Sequence, residues 1–323
     1  MNQISNIKPP GSCFLQAPER NWPLANCYMD LWIGVLDYWG FDPIAALPFT
    51  AAMDFEGDQF TFFKYPHDDL ERMYGIVVHE ISCYDTLERH TIEQLKRGRV
   101  VLAEVDGWFL PDTRATSYQM VHVKTTIGAI DIDPEARRLV YFHANGCWQL
   151  EGEDYDGVFR RGPRFAVQED ILPPFAELAY RRFPALQGAA LVADSRATLV
   201  HQLRRRPEAN PFRLYAEVLD EHAARLQSED ELFYHVYAFH TTRQVGSNYE
   251  LLASYLRWLE RHGEAGLETV AANCDRMAAG AKALQFQLAR VSAKRKTDRS
   301  LETVNGLAQT YDAVMDALTE RFR

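Results

Sequence analysis

What this chain of 323 residues lacks narrows it first. It has five cysteines (Cys13, Cys27, Cys83, Cys147 and Cys274), an odd number, widely scattered and without a CxxC pair. That pattern indicates neither a disulfide framework nor a zinc ribbon and fits a reducing compartment. Positive charge is scarce too. A formal net charge of −10 argues against general affinity for nucleic acid or an anionic membrane, since either needs a dominant basic face. No apolar run approaches the length of a spanning helix, and the opening MNQISNIKPPGSC has no apolar core of signal-peptide length. The expectation is therefore cytoplasmic. Internal repeats and low-complexity tracts are also missing.

What is present is ordinary globular material. With 47% hydrophobic residues, the chain has enough apolar surface for more than one core, and its length suggests two domains. A Pro-rich arm runs through Pro23. Apolar residues then recur at Tyr28, Leu31, Trp32, Val35, Leu36 and Trp39, which is helical spacing with one wide buried face. Asn26 is the expected N-cap, and Gly40-Phe41-Asp42-Pro43 reads as a Schellman-type stop. Further helices are expected over 69–81 and 86–96, with a short strand over 59–63. Strand signals follow at 99–106, 121–131 and 138–144, the last two as an antiparallel hairpin across Asp133-Pro134-Glu135-Ala136. From about Pro173 helical periodicity takes over, in segments 189–205, 211–227, 230–244, 248–262, 267–291 and 300–322. The fold class is thus α+β with an antiparallel sheet over 1–170, followed by an all-helical domain over 171–323.

A thiol in the first turn of a helix meets free backbone N–H groups and the helix dipole, which favour the thiolate. Cys27 has that position. His122, at the start of one hairpin strand, is the candidate base. A tight turn centred between Pro134 and Glu135 puts residue 126 opposite 143 and 124 opposite 145, so that His143 or Asn145 shares a face with His122 and can orient its ring. Asn21, Asn26 and the Cys27 N–H are candidate oxyanion donors. Asp106, followed by Gly107, reads as a turn former or a ligand for a substrate amine. Arg243, Gln244 and Asn248 surround Gly246 at an expected helix break, which is either a capped turn or a polar cleft. The groups His122, His143, Cys147, Asp131 and Asp133 lack metal-site spacing, so no metal is expected. Lys282, Arg290, Lys294, Arg295, Lys296 and Arg299 make one basic end on an acidic chain.

A cysteine opening a helix, then further helices, then a hairpin with His and Asn, resembles the order of papain-like cysteine enzymes. More narrowly, NCYMDLW, VVLAEVDGWFLPDT, HVKTTIGAIDID, RLVYFHANGCWQLEGEDYDGVF and RQVGSNYELLASYLRWL are similar to the DUF1839 family. Over about residues 20 to 150 that family in turn resembles the N-terminal domain of the butirosin-biosynthesis acyltransferases. The resemblance implies Cys27 as the acyl-accepting nucleophile, His122 as base and Asp106 as the acidic position after the central strand. It further implies an acyl or aminoacyl carrier protein as donor, with phosphopantetheine entering only as part of that substrate, no cofactor of the chain's own, and a small-molecule acceptor. The basic end would then steer an acidic carrier protein. Water as acceptor would make the same residues a peptidase or amidase, and an inactive core would make a scaffold.

Overall fold

A computed structural model describes residues 13–163, 174–294 and 299–323. The expected boundary at 170/171, the first half of the Pro-rich arm, and Arg295 and Lys296 of the basic end lie outside the described residues. The chain divides into two units. One holds Asn26–Phe41 and His67–Ala185, and the other holds Leu15–Ala25, Asp42–Pro66 and Leu186–Arg323.

In the first unit, α1 (Cys27–Tyr38) starts and stops where its sequence says. Asn26 Oδ1 accepts from Met29 N at 2.9 Å, and Phe41 N reaches back to Leu36 O at 2.9 Å. Met29, Leu31, Trp32, Ile33, Val35 and Leu36 are almost completely buried, each stabilising by about 1.5–3 kcal/mol. The expected helix over 69–81 is corrected. It ends as α2 (His67–Tyr74), and the β-branched run that follows becomes β1 (Ile76–Glu80). Gly75 forces the change: its φ is +66°, and a Cβ there would lie 2.0 Å from Phe183 O, so neither a helix nor a larger residue fits. The expected strand over 59–63 reduces to an isolated bridge between Phe55 and Phe60 in the second unit.

The remaining elements of this unit are α3 (Leu87–Lys96), β2 (Val100–Asp106), β3 (Lys124–Asp133), β4 (Arg138–His143), β5 (Gly146–Glu151), α4 (Glu153–Val158) and β6 (Ala176–Arg181). Six strands form one antiparallel sheet in the order β1-β6-β2-β3-β4-β5. Strands β5 and β6 are additions to the sequence reading. β6 falls in the stretch expected to be helical, yet it pairs between β1 and β2.

Alternation along the strands gives the sheet two different faces. Val101, Ala103, Val105, Ile127, Ala129, Leu139 and Tyr141 point to one, where they pack with Phe109, Leu110, Tyr155 and Phe159. The other carries α1, whose Cys27 meets Thr126 of β3 and whose Tyr38 packs on Phe142 of β4, ring centroids 5.6 Å apart.

The second unit is built on α5 (Gly188–Arg205), α6 (Pro211–Ser228), α7 (Glu231–Ala238), α8 (Gln244–Arg261), α9 (Glu268–Ser292) and α10 (Ser300–Arg321). The expected break near Gly246 is corrected. A π-helical turn, Phe239–Arg243, joins α7 to α8 without interruption, and Gly246 lies inside α8. Its missing side chain is filled by Trp22, whose Cε2 would stand 2.1 Å from a Cβ there. Trp22 also donates to Ala278 O at 2.9 Å and lies 3.6 Å beneath Lys282 Nζ. Glu250 accepts the backbone N–H groups of Asn21 and Trp22, both at 2.9 Å.

Candidate functional site

Cys27 opens α1 over the centre of the sheet. Its thiol donates to Thr126 Oγ1 at 3.7 Å, and its neighbour Tyr28 reaches the other way, donating to Glu177 Oε2 at 2.6 Å and bonding His67 Nε2 at 2.9 Å. Burial first, and Glu177 second, push the Tyr28 phenol well above its ordinary range. Three other thiols are also pushed up, chiefly by burial: Cys83, Cys147 to about 11, and Cys274. A thiol that keeps its proton is a poor nucleophile, which counts against these three.

His122 stands two residues before β3. Its Nδ1 lies 2.5 Å from Asp106 Oδ2, and its ring stacks on Trp108 with centroids 4.4 Å apart and planes 10° from parallel. Asp106 uses its other oxygen to accept Trp108 N at 3.0 Å, capping the 3₁₀ turn Gly107–Phe109. One carboxylate therefore holds both the Trp108 backbone N–H and the His122 imidazole. The pair is open to water, with His122 67% and Asp106 33% exposed at the side chain. Asp106 is opposite Lys124, and Glu104 opposite Thr126, so by alternation Asp106 lies on the sheet face of Thr126 and Cys27, one row of residues further on, while His122 precedes β3 and the Trp108 it stacks on packs against the core of the other face. Two residues of strand correspond to about 7 Å. No hydrogen bond of the structure joins Cys27 Sγ to His122.

The register expected for the hairpin is corrected. β3 pairs with β4 as Asp133 with Arg138, which sets the turn one residue later than expected, and the extra residue Ile130 makes a bulge between Ala129 and Asp131. Beyond the bulge Ala129 faces Tyr141 and Gly128 faces Phe142. The net slip is one residue, and a slip of one exchanges faces. His143 therefore points away from His122, on the face of Tyr141. There its Nδ1 lies 2.6 Å from Asp112 Oδ2, its Nε2 2.8 Å from Thr125 Oγ1, and Tyr141 OH donates to Asp112 Oδ1 at 2.5 Å. Asn145 is not brought to His122 either. It sits in the two-residue turn between β4 and β5, after Ala144 at φ +50°.

Thr125, His143 and Asp112 have the spacing of a hydroxyl–imidazole–carboxylate triad. Their side chains are shut off, however, with His143 8% and Asp112 2% exposed, so no substrate reaches the hydroxyl. Of the proposed oxyanion donors, Asn26 has its side-chain oxygen committed to the α1 cap. Asn21 belongs to the other unit, held by its backbone to Glu250. Arg243 is also in that unit, its guanidinium 5.1 Å over the Phe239 ring in the π turn. Among the described residues no cluster of three or more His, Cys, Asp or Glu is arranged to hold a metal ion, and no helix is long and apolar enough to cross a membrane.

Sequence reasoning missed Trp108, Asp112, Tyr141 and Thr125 as parts of these networks. One signal was present: the dipeptide Asn145-Gly146 marks a tight hairpin, which gives β5 and limits how far β4 extends. The partner of Asp112 had no local signal, because it lies across the sheet.

The curated proteins give no match to the chain. The model of the DUF1839 N-terminal domain matches residues 11–181 and that of the DUF1839 C-terminal domain residues 188–320, so the chain belongs to the DUF1839 family.

Proposed function

We propose that this protein is a thiol-dependent acyl or aminoacyl transferase that takes its acyl group from a carrier-protein thioester. The observation that carries the reading is the His122–Asp106 pair, stacked on Trp108 at the end of the β2–β3 ladder, whose Asp106 lies one row beyond the Thr126 that meets the helix-opening Cys27. A cysteine helix lying on an antiparallel sheet with a histidine at one strand end is the arrangement of a papain-like core. Asp106, and neither Asn145 nor His143, takes the role of the group that orients the base.

In the reaction, His122 Nε2, the nitrogen not engaged by Asp106, takes the Cys27 thiol proton. The thiolate attacks the thioester carbonyl, a new S–C bond forms, the phosphopantetheine C–S bond breaks, and the proton goes to the departing thiolate. An amine of the small-molecule acceptor then attacks the acyl-enzyme, and His122 carries its proton to Cys27 Sγ. One thioester replaces another in the first half, so the step is close to thermoneutral. Cys27 in the first turn of α1 has the helix dipole behind the thiolate. No cofactor is required.

Intact-mass spectrometry with an aminoacyl-thioester donor tests the reading. We expect an adduct on the wild-type chain and none on Cys27→Ala, with transfer to an amine in preference to water; hydrolysis instead would mark a peptidase or amidase. A second reading, a non-catalytic binding protein, has one observation in its favour: Cys27 Sγ contacts Thr126 and not His122. Absence of any adduct, together with a Cys27 that resists iodoacetamide at neutral pH, would select it.

A further inference from the structure

Residues 107–123 join β2 to β3. A connection of that length with only short turns inside it is uncommon unless it presents something. This one presents Trp108 at its start and His122 at its end. Between them it is tied down at one buried charge. Asp112, in the 3₁₀ turn Pro111–Thr113, is the acceptor of both Tyr141 OH and His143 Nδ1 on β4, and burying a carboxylate is tolerable only with such partners.

From Asp112 a continuous set of bonds leads outward. Thr113 O accepts from the N–H groups of Thr116, Ser117 and Tyr118, and Ser117 Oγ donates to Thr113 Oγ1 at 2.9 Å. Gln119 N then donates to Trp108 O at 3.1 Å, and Gly107 N to Val123 O at 2.8 Å, closing the segment on both sides of His122. Phe109 and Leu110 lie in the core beside it. Thr125 completes the arrangement: its hydroxyl can donate to a neutral His143 or accept from a charged one, so this bond survives in either state. The group the network cannot lose is the carboxylate.

We propose that Asp112 is the positioning residue of the 107–123 segment, fixing through Tyr141 and His143 where Trp108 and His122 stand. Its catalytic meaning rests on the reading of His122 as the base, but the positioning is measurable without any reaction. His122 stacked on Trp108 has ring protons displaced upfield by the indole, and these are readable in the full-length chain by NMR with histidine labelling, assigned by their disappearance in His122→Gln. We expect Asp112→Asn to abolish the displacement and the His122–Trp108 cross-relaxation, Tyr141→Phe to weaken both, and Asp112→Glu to restore part of them.

Should Asp112→Asn fail to fold, Tyr141→Phe decides, since it removes only one donor. A folded Asp112→Asn, or failing that a Tyr141→Phe, whose His122 signals are those of the wild type would overturn the proposal. An inert Cys27 in a chain whose His122 signals respond as expected counts against the transferase reading and leaves the positioning standing.

Discussion

Asp106 has two separable jobs, and substituting it in two ways tells them apart. Its Oδ1 caps the turn at Trp108 N and its Oδ2 holds His122 Nδ1. Asp106→Asn keeps an oxygen for the cap and loses the charge, whereas Asp106→Ala loses both. The charge pair is mostly in water, where such pairs contribute little, about 0–1 kcal/mol. Asp106→Asn should therefore change stability by no more than about 0.5 kcal/mol, and Asp106→Ala should cost about 0.5–2 kcal/mol by removing the cap. At about 2–4 °C per kcal/mol for a unit of this size, the second change is visible calorimetrically and the first barely so.

Acylation should rank differently. Without the carboxylate the imidazole of the proposed base loses its orientation, and the single-turnover acylation rate of both variants should fall by about 10²-fold or more. Intact-mass quench measurements on the wild type and the two variants supply the rates. If Asp106→Asn acylates at the wild-type rate while Asp106→Ala is merely less stable, the carboxylate is a cap for the Trp108 turn and its contact with His122 is incidental.

Other substitutions test the frame around the site. Leu31→Ala empties a fully buried position of α1 and should cost about 2–5 kcal/mol, read as a lowered unfolding midpoint. Gly246→Ala drives a methyl into Trp22 and should cost about 1–3 kcal/mol by overpacking; combining it with Trp22→Leu should recover much of that loss if the indole is the obstacle. Iodoacetamide at neutral pH should label Cys27 while sparing Cys83, Cys147 and Cys274, whose thiols burial keeps protonated, and peptide mapping gives the sites. The hydrogen bond from Arg196, helped by Arg321, holds Glu264 below the usual carboxylate range. Its contribution is present above the unfolded pKa of about 4.3 and lost as pH falls through the lowered folded value. Glu264→Gln should therefore flatten the acid limb of the stability curve between roughly pH 5 and 3, by only a few tenths of a kcal/mol because the pair is open to solvent.

The helical half and α1 were legible because their information is local. Periodicity, caps and Gly stops fix a helix within a few residues of chain, and Asn26, Gly40 and Phe41 do what their types suggest. The sheet was legible only in part. β6 falls in the stretch whose sequence pattern reads as helical, and its partners β1 and β2 are far away in sequence, so nothing within its own window announces an internal strand. At the candidate site the expected pairing of His122 with His143 or Asn145 is not formed. Ile130, one apolar residue in an apolar strand, carries no mark that it will bulge. That single residue, with a turn one place later than Pro134 suggests, moved His143 and Asn145 away from His122 and left Asp106, from a different strand, as its partner.

The sheet ends up with two imidazole–carboxylate pairs of nearly equal length, 2.5 Å for His122–Asp106 and 2.6 Å for His143–Asp112, and their surroundings differ in what matters to the proposed base. A base must exchange protons with a substrate and with water, so it needs one free nitrogen and an open side. His122 meets both conditions, held at Nδ1 and stacked on one face only. His143 meets neither, since both of its nitrogens are taken and its carboxylate is sealed under Tyr141, where burial, and Asp112 after it, keep that phenol protonated far above its ordinary range. Adjacent residues of β3 divide the same way: Thr126 faces Cys27 and Thr125 faces His143. Deleting Ile130 would therefore be instructive, because it removes the bulge without disturbing the pairs on either side of it. With 129 and 131 adjacent the ladder becomes regular, Ala129 still faces Tyr141 and Asp131 still faces Val140, and His143 should keep its face and its Asp112 partner. The variant should therefore fold, at a cost of about 0.5–3 kcal/mol. An Ile130 deletion that folds but has lost the His143–Asp112 contact would show that the bulge itself, and not the pairing of β3 with β4 on either side of it, decides which face His143 takes.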